Sequence, residues 1–90
     1  MTNEKHPALV ALGQHIRKVR RERGISQEAF ACDAGLDRSY YGAVERGERN
    51  VAVLNLMRIA IALNVEVGEL FPEAKVFGPV LDGLTRPEVE

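Results

Sequence analysis

Apolar side chains in this chain recur at steps of three and four, the spacing of an α-helix. Leu9, Leu12, Ile16 and Val19, behind Pro7, predict an amphipathic helix over about 7–23 that stops at Gly24. Ser26 followed by Gln27, Glu28 and Ala29 reads as an N-cap with an acidic first turn. It opens a second helix over about 27–34, with Phe30, Ala31 and Ala34 on its buried side and Gly35 as its stop. Asp37 caps a third, over about 38–46, in which Tyr41 and Val44 face inward and Gly47 terminates. The apolar positions Val53, Leu56, Ile59, Ala60 and Leu63 predict a fourth helix over about 53–63, closed by Asn64. One or two further helical turns fit between Glu66 and Phe71, before Pro72. The remainder is broken by Gly78, Pro79, Gly83 and Pro87 and reads as a tail, although Val76, Phe77, Val80, Leu81 and Leu84 would seek cover. No strand alternation and no internal repeat appears. The expectation is a compact all-α fold of five helices: an N-terminal extension over 1–6, one domain over 7–73 and a C-terminal tail over 74–90.

Composition suits a folded domain, with 46% apolar and 28% charged residues among 90. A core of this size gives only modest stability, so burial against a partner would help. No apolar run approaches the roughly 18–20 residues that span a bilayer, and Met1 to Lys5 do not lead into a secretory signal. The expected setting is the cytoplasm, with no membrane partner. The single Cys32 excludes an intramolecular disulfide and has no Cys or His at metal-ligand spacing. His6 and His15 have no nucleophile or carboxylate constellation beside them. Neither catalysis, a cofactor nor a metal is expected.

Charge changes the picture through its distribution. The net charge is −1, yet residues 1–49 hold nine Lys and Arg against seven Asp and Glu, whereas residues 50–90 hold three against six. Arg17, Lys18, Arg20, Arg21 and Arg23 form a basic block, followed by Arg38, Arg46 and Arg49. Such a block is either a solvated helix face or the footprint of a nucleic-acid surface. The two short helices joined by a three-residue turn containing Gly35 favour the second, because that geometry is a helix-turn-helix.

The runs Gly24-Ile25-Ser26-Gln27-Glu28-Ala29-Phe30-Ala31, Ala34-Gly35-Leu36, Val44-Glu45-Arg46-Gly47 and Leu56 to Leu63 resemble the phage-repressor-like helix-turn-helix family, the Cro and xenobiotic-response-element type, along roughly residues 9–71. Leu36-Asp37-Arg38-Ser39-Tyr40-Tyr41 followed by Glu45-Arg46-Gly47-Glu48-Arg49-Asn50 is similar to the controller proteins of restriction-modification systems. The resemblance implies a lambda-repressor-like domain whose third helix enters the major groove while the second crosses the phosphate backbone. By matching position, Arg38 and Ser39 lead the base readers, and the fork of Arg38 suits guanine O6 and N7. Gln27 stands where the family meets a phosphate, and Arg46, Arg49 and Asn50 line the groove edge. Ala43 offers only a methyl contact. Tyr40 either lays its ring on the sugar-phosphate backbone or is partly buried. Arg20 and Glu45 take positions that form an ion pair between the first helix and the end of the third.

Three departures from the family stand out. Tyr41 replaces a branched aliphatic residue, so its hydroxyl needs a partner. Gly42 costs about 1 kcal/mol relative to Ala within a helix, and either admits close backbone approach or is tolerated. Ala52 stands where relatives place a capping Ser or Thr.

On the fourth helix Leu54, Met57 and Ile61 form a second apolar stripe. With Val65, Val67 and Phe71 it predicts a two-fold dimer interface, unless the Val76 to Leu84 tail covers it within one chain. The implied partners are a pseudo-palindromic double-stranded DNA operator, a second copy of the chain and RNA polymerase. The rival reading is an antitoxin-type module whose main partner is another protein.

Overall fold

The computed structural model describes residues 5–81. Within them α1 (Pro7–Glu22), α2 (Gln27–Ala34), α3 (Arg38–Glu45) and α4 (Val53–Leu63) are followed by a 3₁₀ turn (Val67–Leu70), a short α5 (Ala74–Phe77) and a second 3₁₀ turn (Gly78–Val80). The caps explain the boundaries. Ser26 Oγ accepts a hydrogen bond from the Ala29 amide at 3.1 Å and Asp37 Oδ2 accepts one from the Tyr40 amide at 3.0 Å, so α2 and α3 each satisfy an otherwise orphaned N–H. Asn64 ends α4 at φ 60°, a left-handed conformation that asparagine tolerates. Ala52 opens α4 with no side-chain cap, in keeping with its departure from the family.

The core is built from Leu12 and Ile16 of α1, Phe30, Ala31 and Ala34 of α2, Tyr41 and Val44 of α3, Leu56, Ile59, Ala60 and Leu63 of α4, and Leu70. Phe30 and Tyr41 lie at its centre, their rings 5.0 Å apart and tilted by 53°. Val53 departs from the expectation of a core position, being 63% exposed. It shares the angular position of Ala60 but is the first residue of α4, where the stripe has run past the core.

Two glycines let α1 and α3 touch. Gly13 is buried, and a Cβ there would fall inside van der Waals contact of the Val44 and Glu45 carbonyl oxygens. Gly47 combines φ 80° with a site where a Cβ would lie 2.6 Å from Val10 Cα. Gly13→Ala gains helix propensity of about 1 kcal/mol, yet both clashing atoms belong to backbone that cannot swing away. A net destabilisation is expected, from an overpacking cost of about 1–3 kcal/mol or somewhat more. Urea titration of the two proteins checks it, and an unchanged midpoint would refute the close approach.

The segment predicted as a tail is ordered in part. α5 and the following turn pack on α1, where Phe77 and Leu81 meet Ala8, Leu9 and Leu12 beside Phe71. The cover that Phe77 and Leu81 find is therefore α1, and among the described residues nothing buries the α4 stripe, with Leu54 69% and Ile61 78% exposed. Leu84 and the other residues of 82–90 lie outside the described part, as do residues 1–4 of the N-terminal extension.

Candidate nucleic-acid interface

The cap at Asp37 sets the first turn of α3 at the surface, and the helix period divides its side chains into two sets. Tyr41, Gly42, Val44 and Glu45 are buried, whereas Arg38 and Ser39 are exposed, with Ala43 half-buried between them. Beyond the helix Arg46, Arg49 and Asn50 are exposed as well. The exposed part of α3 and the segment just past it thus carry Arg38, Ser39, Arg46, Arg49 and Asn50, which the resemblance marks as DNA contacts.

What holds that side in place is a polar network behind it. Glu45 is 4% exposed and its carboxylate accepts four hydrogen bonds. Arg20 forks onto it, with Nε 2.6 Å from Oε2 and Nη2 3.0 Å from Oε1. The Tyr41 hydroxyl donates at 2.5 Å and Gln27 Nε2 at 2.9 Å. Arg20 Nη1 also donates to the Ile25 carbonyl at 2.8 Å, so the guanidinium ties α1 to both the loop before α2 and the end of α3. Among the described residues no buried side-chain nitrogen or oxygen lacks a partner. Burial alone would raise the Glu45 carboxyl pKa; the hydrogen bonds from Arg20, Tyr41 and Gln27 outweigh it and hold the carboxyl below the ordinary value. Burial first, and the Glu45 carboxylate second, push the Tyr41 hydroxyl pKa up, which keeps it a donor.

Two expected contacts acquire a different immediate role. The Gln27 side-chain amide points inward to Glu45, because the buried carboxylate is the stronger acceptor within reach. Its main chain remains at the open N-terminus of α2. Tyr40 is half-buried: Asn55 Nδ2 donates to its hydroxyl at 3.1 Å, and the Arg49 guanidinium lies over its ring, 5.2 Å from the centroid. That cation–π contact holds Arg49 beside the first turn of α3. A Cβ at Gly42 would come 3.2 Å from Arg46 Nη1 and 3.4 Å from Gln27 Oε1, the ends of side chains that can shift by the few tenths of an ångström needed, so the packing tolerates this glycine without requiring it.

An open notch that no local pattern in the sequence marks by itself lies between α1, the start of α2 and the end of α3. Lys5, Gln14, Arg17, Gln27 and Arg46 line it. The spacing of Gln14, Arg17 and Arg21 on one face of α1 was a visible signal, but only the packing of α1 against α3 brings that face beside α2. Elsewhere, of the six residues assigned to a dimer interface, Leu54, Met57, Ile61, Val67 and Phe71 are exposed and Val65 packs partly against the core. Phe71 also borders the apolar seam between α1 and α5. Among the described residues no helix is long and apolar enough to cross a membrane, and no cluster of three or more His, Cys, Asp or Glu is placed to hold a metal.

Comparison with known proteins bears on this geometry. A helix-turn-helix family model matches residues 16–70. The control protein C.MunI of a Mycoplasma species is 40% identical over 65 residues, covering 71% of this chain and 88% of that protein. The restriction-modification controller C.AhdI from Aeromonas hydrophila superposes with a TM-score of 0.69 at 52% identity, covering 70% of this chain and 96% of the controller. The controller C.Esp1396I, solved as a tetramer in complex with its natural 35 base-pair operator, gives a TM-score of 0.62 at 31% identity over 70% of this chain and 93% of its own.

Proposed function

This chain belongs to the helix-turn-helix family, and from that premise we propose that it is a sequence-specific transcriptional regulator that binds a pseudo-palindromic operator in double-stranded DNA as a homodimer. The similarity to restriction-modification controllers favours that regulatory role. Its place of work is the cytoplasm, where the DNA lies, and RNA polymerase is the partner whose access or recruitment the bound dimer changes. Residues 7–73 act as the DNA-binding domain.

The observation that carries the reading is the exposure of Arg38 and Ser39 at the first turn of a helix whose other side is tied to α1 and α2 through a carboxylate that accepts four hydrogen bonds. A rigid helix with free donors at its leading end matches base edges in the major groove. Arg38 reads a guanine, Ser39 its neighbour, and Ala43 adds a methyl contact. Arg46, Arg49, Asn50 and the N-terminus of α2 at Gln27 hold phosphates, and Tyr40 buttresses Arg49. The dimer forms through Leu54, Met57 and Ile61, with Val67, Phe71 and Val65 at its border and Val53 now adjoining the same stripe. Two-fold pairing sets the recognition helices one turn of DNA, roughly 34 Å, apart.

The test is a gel shift on the DNA immediately upstream of the protein's own gene. Arg38→Ala is expected to weaken specific binding by about 5- to 150-fold, equivalent to about 1–3 kcal/mol for one bidentate base contact, with an unchanged circular dichroism spectrum. Wild-type affinity is expected to fall steeply between about 50 and 200 mM salt as counterions are released. If Arg38→Ala and Ser39→Ala both bind as wild type does, α3 is not the reading element.

A further inference from the structure

Glu48 pairs with two of the cations that line the notch between α1, α2 and α3. It lies just past α3, and its carboxylate is paired with two cations: Arg46 Nε donates to Glu48 Oε2 at 3.1 Å, Arg46 Nη2 to Oε1 at 3.2 Å, and Lys5 Nζ stands 3.7 Å from Oε2. This two-pronged contact engages the guanidinium edge through which an arginine grips a phosphate. Arg46 and Lys5 also line the notch described above, and Arg46 is 56% exposed. The hydrogen bond from Arg46, with Lys5 nearby, holds the Glu48 carboxyl below its ordinary pKa, so it is charged at neutral pH. Arg46 is exposed and the Glu48 side chain is 22% exposed, and ion pairs open to solvent add little to fold stability, so the larger effect of the pair is on the availability of Arg46.

We propose that Glu48 is an electrostatic brake on DNA-backbone affinity: it occupies Arg46 and Lys5 in the free protein, and a phosphate must displace it to engage them. The inference rests on the DNA-binding reading above. Its physical sense follows from the search problem of a DNA reader. Backbone attraction acts on every sequence, and competing sites vastly outnumber operators, so a protein with strong backbone affinity is titrated away from its target. Restraining two cations lowers that sequence-independent attraction while leaving the base readers Arg38 and Ser39 untouched.

The experiment needs no operator. Binding of the full chain and of Glu48→Gln to a labelled random-sequence duplex is measured by fluorescence anisotropy at several salt concentrations. The variant is expected to bind more tightly at low salt and to show a steeper salt dependence, its logarithmic slope larger by about 0.9 for each extra phosphate neutralised. Its advantage then shrinks about three- to fourfold per such phosphate between about 50 and 200 mM salt. Measured against the single variant Arg46→Gln, the double variant Arg46→Gln, Glu48→Gln is expected to show little of the gain. Equal affinity and slope for wild type and Glu48→Gln would overturn the brake, as would a gain that survives intact in the double variant, which would mean simple loss of a negative charge. Failure of the wild type to bind any duplex at low salt would instead overturn the DNA-binding reading, and the brake with it.

Discussion

Ile61→Asp is expected to yield a folded monomer that has lost operator binding by about 10²- to 10⁴-fold, the advantage that linking two binding modules confers. Ile61 is 78% exposed and Leu54 69%, so aspartate at position 61 meets water in the single chain and disturbs no core contact. In the proposed two-fold interface the same residue meets its own copy or a near neighbour, and two carboxylates would be buried together in an apolar stripe. Melting temperature at a concentration where wild type is monomeric should be nearly unchanged, while sedimentation at micromolar concentration should shift from dimer to monomer. Half-site contacts persist in the monomer, so weak binding to random duplex should survive. A variant that remains dimeric would remove α4 from the interface. The open state of this stripe matters here: the apolar side chains around α5 are packed on α1 rather than on α4.

The second large effect concerns the network behind α3. Arg20→Met is expected to cost about 3–5 kcal/mol, because it leaves the Glu45 carboxylate buried without its counter-charge. Against a total of roughly 5–15 kcal/mol for a domain of this kind, that loss brings the protein close to unfolding at 37 °C. Thermal and urea melts followed by circular dichroism measure it. The double variant Arg20→Met, Glu45→Met should recover much of the loss, since a buried pair contributes little over apolar residues of similar volume even though a broken pair is costly. If Arg20→Met alone is as stable as wild type, the carboxylate is not held as the structure indicates. The same group makes stability depend on pH. The Glu45 carboxyl titrates lower in the folded chain than in the unfolded one, where its ordinary value is 4.5. Its stabilising contribution is therefore complete above that value and disappears as pH falls through the lower folded one. Wild type should lose stability in that acidic window, and a Glu45→Gln variant should lose less of its own there.

These two effects join fold to function. Arg20, Tyr41 and Gln27 all donate to one residue at the end of α3, so the angle at which Arg38 and Ser39 leave the surface is set by α1 and α2 as well as by α3. Partial loosening of this network should weaken operator binding before it unfolds the domain.

Element boundaries were legible in the residues because caps and stops are local. Ser26 and Asp37 reach an amide three residues on, and Gly24, Gly35, Gly47 and Asn64 take a left-handed backbone that few other residues accept. Periodicity likewise separated Leu56, Ile59, Ala60 and Leu63 from Leu54, Met57 and Ile61, since angular position on a helix follows from number alone. Other facts depended on where helices end relative to one another, which no local pattern encodes. Val53 falls off the core although it aligns with Ala60; Gly13 is required only because α3 carbonyls arrive against it. Gln27 turns inward because a buried carboxylate from another helix lies within reach, and α5 finds its cover on α1. Short-range hydrogen bonds and backbone sterics decided the helices, while contacts between residues far apart in the chain decided which side chains stay free to meet DNA.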